Sequence, residues 1–143
     1  MRFTRQIARA LSILAWLAGS AGALAAEAGV SLDLNRLETQ GSACRVTLVV
    51  VNGPAAAEEL KTDLVMFGTD GVVARRLAVD FAPLAAGKTI VKMFDIPGTA
   101  CAGVGSILLN DVPACRFAGG ALPGPACLAG IAVSSHAPIR FFK

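Results

Sequence analysis

The residues from Ala82 to Thr89, "APLAAGKT", fit the loose spacing of a phosphate-binding loop: a small residue, four unspecified ones, then Gly-Lys-Thr. That chemistry needs a strand that delivers a Gly-rich loop to a helix N-terminus, so that backbone N–H groups surround the phosphates. Here the loop has one glycine and Pro83 lacks an amide proton. The residues after Thr89, "IVKMFD", read as a strand rather than a helix start. "ILLND" (107–111) imitates the apolar-then-acid magnesium strand, but runs this short are common. These residues favour a turn in which Gly87 leads the chain into a strand, and no nucleotide or other cofactor is expected.

The remaining reactive side chains are few. His136 is the single imidazole, in "VSSHAPIRFFK" near the C-terminus, a tail expected to be mobile. Ser134 and Ser135 sit too close to it in sequence to suggest a nucleophile held on a rigid scaffold. Met66 and Met93 lie singly in strand patterns and read as core filler rather than copper ligands. Glu58-Glu59 and Asp33/Glu38 read as solvated surface. Four cysteines, Cys44, Cys101, Cys115 and Cys127, contain no Cys-x-x-Cys pair, so neither a zinc knuckle nor a thioredoxin-type pair is suggested. An even count in an exported chain reads as two disulfides. Of the three pairings, Cys44–Cys101 joining distant segments and Cys115–Cys127 closing a local Gly/Pro-rich loop is favoured.

Export is the premise of that argument. Residues 1–25 place Arg2, Arg5 and Arg9 before an apolar run and end in Ala23-Leu24-Ala25, the layout of a cleaved secretory signal. The apolar run is about half the roughly 20 residues a membrane span needs. The arginines are separated, which favours the general secretory route over the twin-arginine one. Ser20 stands where a lipoprotein would carry its lipidated cysteine. A soluble periplasmic chain from Ala26 is expected, without stable membrane insertion. The formal charge of +3 comes from thirteen Lys/Arg against ten Asp/Glu. Removing the three leader arginines leaves ten of each, so nothing favours nucleic acid as a partner.

The elements that must position these residues are strands. "VSLDLNRLE" (30–38), "CRVTLVVVN" (44–52), "ELKTDLVMFG" (59–68), "VVARRLAVDF" (72–81), "KTIVKMFDI" (88–96) and "SILLNDV" (106–112) alternate or run apolar. Predicted inward sets are Val30, Leu32, Leu34; Val46, Leu48, Val50; Leu60, Leu64, Met66; and Val73, Leu77, Val79, Phe81. Thr69-Asp70-Gly71 reads as a hairpin loop, and Pro54 allows a short helical turn over Ala55–Glu59. The expected fold is an all-β antiparallel sandwich of six to seven strands, immunoglobulin- or fibronectin-like, in a single domain over 26–143. Its C-terminal segment from about 113 reads as loop-rich. The only tryptophan, Trp16, falls in the leader, so the buried Trp of true immunoglobulin domains is missing.

"SLDLNRLE…ACRVTLVVVN", "LKTDLVMFGTDGVVARRLAVDFAPLAAGKTIVKMFDIPG" and "SILLNDVPAC" together resemble a family of small exported alphaproteobacterial proteins labelled only by a Tat-pathway signal. The resemblance covers about residues 30–128, most specifically 60–98. It implies location and a shared fold, without catalytic residues, and this chain departs from it in lacking the paired arginines. The expected function is a non-catalytic periplasmic accessory or protein-binding module with an envelope protein as partner. The alternative is a small periplasmic hydrolase or thiol-redox enzyme using Cys127 or His136. Ile139, Phe141 and Phe142 of the terminal "APIRFFK" either pack as a final edge strand or add as a strand to that partner.

Overall fold

The protein is described by a computed structural model over residues 29–143; the expected leader, residues 1–25, lies outside the described residues. Alternation of side chains creates the first two strands. β1 (Val30–Gln40) and β2 (Ala43–Val51) form a hairpin closed at Gly41, whose φ of 58° suits glycine. Val30, Leu32 and Leu34 of β1 and Val46, Leu48 and Val50 of β2 are all buried, as their spacing predicts. The register shifts between Leu34 and Arg36, a bulge that changes which residues of β1 face inward. Leu37 therefore joins the apolar side although it breaks the period-2 pattern.

β3 (Ala57–Gly68) and β4 (Val73–Asp80) form a second hairpin. In its turn the Gly68 and Gly71 amides donate to Val72 and Gly68 carbonyls, and Asp70 Oδ1 accepts from the Val72 amide. Gly71 sits at φ 78°, the left-handed conformation this turn requires. β3 starts directly at Ala57, so the helical turn considered over Ala55–Glu59 does not form. Pairing of the Ala57 and Leu84 backbones holds that stretch extended instead. β5 (Thr89–Ile96) pairs with β2, and a single 3-10 turn, Cys101–Gly103, leads into β6 (Val104–Phe117).

β6 runs past Pro113, where the sequence suggested loop. Its register with β3 shifts between Lys61 and Asp63, opposite Ala114 and Asp111, so Pro113 falls in an irregular stretch of the ladder. The short β7 (Gly120–Ala121), helix α1 (Gly124–Gly130), β8 (Ile131–Ser135) and β9 (Arg140–Phe142) then follow. One sheet has the order β5-β2-β1-β8; the other is β4-β3-β6, with β7 and β9 both pairing β6. The inward side chains of both sheets form one apolar cluster, a sandwich-like all-β arrangement.

The sheets are mixed, which corrects the antiparallel expectation. β8 runs parallel to β1 and β9 parallel to β6. Hairpin neighbours must be antiparallel, but a strand that arrives through a long connection can align either way. α1 supplies such a connection between β6 and β8. Two disulfides fasten the layers: Cys44 at the start of β2 to Cys101, and Cys115 of β6 to Cys127 of α1, the favoured pairing. They point to an oxidising, extracytoplasmic compartment. Among the described residues no helix is long and apolar enough to cross a membrane.

Candidate functional site

Residues 82–89 form a closed turn rather than a phosphate cradle. Leu84 is buried and its amide donates to the Ala57 carbonyl. The Gly87 amide donates to the Gly53 carbonyl (2.7 Å) and the Lys88 amide to the Ala85 carbonyl (3.2 Å). Three of the loop's amides, at Leu84, Gly87 and Lys88, are thereby engaged within the fold. Gly87 adopts φ 65° and Thr89 opens β5, so strand, not helix, follows the Gly-Lys-Thr. Asn52, 2% exposed, knots this loop to its neighbour: its Nδ2 donates to the carbonyls of Ala55 and Ala85, both at 2.9 Å.

His136 is tethered, contrary to the mobile tail expected of it. Its amide donates to the Leu34 carbonyl at 2.9 Å, and its Nδ1 lies 2.8 Å from Asp33 Oδ2. Parallel pairing of β8 with β1 produces this contact by setting Ser134 opposite Asp33. Ser134 Oγ donates to the same carboxylate at 2.6 Å. Partial burial pushes the Asp33 pKa upward, but hydrogen bonds from Ser134, His136 and Asn35 outweigh it and hold the carboxyl below its ordinary value. The three side chains do not make a nucleophile relay, because the serine hydroxyl is bonded to the aspartate and not to the imidazole. Ser135 turns elsewhere, donating to the Ile139 carbonyl at 2.8 Å.

All four cysteines are oxidised, and Cys127 is wholly buried in its bridge to Cys115. Met66 is core, as expected, whereas Met93 is 58% exposed and fills no core space. Met93 lies on the odd-numbered side of β5, which faces outward from the first sheet. Val73, assigned inward from the alternation of β4, is likewise 53% exposed, because the register of β4 on β3 shifts beside it.

The terminal residues separate. Phe141 is buried in the common core and pairs with Ile107 of β6, so it is committed to the fold and cannot serve as a partner contact. Phe142 is half-buried on the outer side, stacked on Phe67 with ring centroids 6.4 Å apart, with the Arg140 guanidinium 4.8 Å from its centroid. Ile139 is half-buried and lines an open hollow of about 590 Å³ with Leu37, Cys101 and Val104.

Sequence reasoning missed a different surface. Val51, Val91 and Met93 are 41%, 58% and 58% exposed and lie together on the outer face of the first sheet, where β2 meets β5. β5 ends that sheet, so its other backbone edge has no strand partner among the described residues. β4 ends the second sheet, and between the two edges is a groove of about 340 Å³ floored by Leu77, Val79 and Phe94. The mixed pattern of "TIVKMFDI", apolar on both parities, was the available signal: it suits a strand with no dry side and no fully wet side.

Several charges elsewhere are paired within the fold. Arg76 forks onto Asp63, which also accepts from Asn110 at 2.7 Å; these contacts, the arginine first, hold Asp63 below its ordinary pKa against the opposing effect of burial. Arg45 makes a two-pronged contact with Asp95 (2.7 and 2.9 Å), and this lowers the Asp95 pKa. No group of three metal-ligating side chains occurs among the described residues. No protein-family model, curated protein or solved structure matches the chain.

Proposed function

We propose that the chain is a non-catalytic protein-binding module of the cell envelope, exported to the periplasm and built as an immunoglobulin- or fibronectin-like sandwich. The fold part draws support from strand order: first, second and fifth strands in one sheet, third and sixth in the other, the arrangement of A, B, E and C, F strands. Kinship with the Tat-signal family and delivery by a cleaved leader belong to the same proposal.

The observation that carries the binding role is the outward apolar row Val51, Val91 and Met93 beside the unpaired edge of β5. Exposed valines are ordinary singly, but a cluster along an open strand edge is a surface that other chains can cover. A photo-reactive side chain at Val91 tests it in the intact envelope. Adducts are expected from position 91 and not from Lys61, exposed on β3 of the other sheet. If neither position yields an adduct, the binding role fails.

The hydrolase reading has one observation in its favour, the Asp33–His136 contact, which orients the imidazole as a general base requires. An ester-hydrolysis rate that survives purification and drops with His136→Ala is the result that would favour it.

A further inference from the structure

The open edge of β5 differs from a bare apolar patch because a cavity and a charge accompany it. Lys92 and Phe94 of β5 line the groove between the two sheet edges, with Asp95 at its margin, whereas Val91 and Met93 lie on the outer face. A strand laid against β5 places alternate side chains in the groove, over Leu77, Val79 and Phe94, and the others beside Val91 and Met93. Both parities of the added strand therefore meet apolar surface.

Lys92 sets the polar requirement. It lies at the middle of β5 on the groove side, half-buried, and no carboxylate among the described residues pairs with it. The two acids lining the groove are taken: Asp80 accepts from the Ala82 amide and Asp95 from Arg45. A lysine placed inward on an edge strand discourages pairing with a like strand. In the twofold register that sets Val91 against Met93 of a second copy, Lys92 faces its own counterpart. An acid at that position turns repulsion into attraction.

We infer that the occupant is an extended segment of another protein, apolar on alternate residues and carrying an aspartate or glutamate opposite Lys92, added to β5 as a further strand of the first sheet. The inference rests on the binding role proposed above and specifies the chemistry of the partner. Main-chain hydrogen bonds to β5 supply affinity, and the groove with Lys92 supplies selectivity.

Selection of random twelve-residue peptides displayed on phage against the oxidised exported protein tests it. Wild type should enrich peptides with β-branched or leucine residues on both parities and one acid; Lys92→Glu should enrich a base at that position, and Lys92→Met should keep the apolar pattern without a charge. A selected acidic peptide should bind Lys92→Glu about tenfold more weakly than wild type, the effect of exchanging a half-exposed attraction for a repulsion. Hydrogen exchange with that peptide bound should slow at β5 amides that face away from β2. Peptides that protect another region, or that ignore the charge of residue 92, overturn the inference and leave the broader binding role standing. Failure to enrich any peptide also overturns it. If that failure comes with self-association that Met93→Lys abolishes, the occupant is a second copy; the crosslink from position 91 then decides the broader role separately.

Discussion

The body of the protein, β1 through β6, and its closing segment, residues 118–143, are ordered by different means. In the body, long strands put every second side chain into a shared core, and each ladder reinforces its neighbours. The closing segment has short strands and a seven-residue helix of small residues, "GPACLAG", too short to persist alone. Beyond the short ladders of β8 on β1 and β9 on β6 and the burial of Ile131 and Phe141, it is held by point attachments: the Cys115–Cys127 bridge, His136 and Ser135 on β1, and Lys143, whose Nζ donates to the carbonyls of Leu128, Ala129 and Ile131 at the end of α1. Regular burial tolerates the loss of any one contact better than a chain of fasteners does.

That contrast orders the effects of mutation. Replacing Cys44 and Cys101 together by alanine opens a 57-residue loop within the body and is expected to cost about 4 kcal/mol, read as a drop in the urea midpoint of a single cooperative transition. Removing Cys115 and Cys127 opens a 12-residue loop at about 3 kcal/mol. Here hydrogen exchange should show α1 and β8 opening before β1–β3; simultaneous opening of all elements would erase the proposed difference between the regions. Asn52→Ala removes a point attachment from the body instead. Loss of its buried donors to two loop carbonyls should cost about 2 kcal/mol, with protection lost first around residues 82–89. Lys143→Ala removes the cation from the carbonyl end of α1 and should cost about 1 kcal/mol, confined to α1 and β9 in exchange data.

The smallest effect is acid. Asp63 in the body and Asp33 at the junction both have folded pKa values below the ordinary carboxylate value. A depressed folded pKa means the unfolded chain takes up the proton first. The stabilisation is therefore complete above the unfolded value, near pH 4, and is lost as the pH falls through the folded one. Asp33→Asn should flatten that acid limb in denaturation curves by lowering the neutral-pH midpoint toward its acid value, and Asp63→Asn should do the same.

The same contrast explains what the sequence disclosed. Period-2 alternation identified five of the body strands closely, because a one-sided sheet writes its burial into the chain. Leu37 and Pro113 escaped because bulges reset the parity and admit a proline, and neither event leaves a local mark in the sequence. The closing segment was nearly illegible: Gly, Pro and Ala carry weak preferences, and what orders them is a bridge, parallel pairing with distant strands and three carbonyls reached by Lys143. The outward row of β5 was misread for a related reason. Met93 has the composition of a core residue, and only the strand order reveals that no second layer covers its side of the sheet among the described residues.

β6 and its threshold carry one end of each disulfide, at Cys101 just before the strand and at Cys115 within it. The two bridges join consecutive cysteines, the first with the second and the third with the fourth, so neither loop crosses the other. Pairing in the order in which the cysteines appear therefore yields the native set without reshuffling.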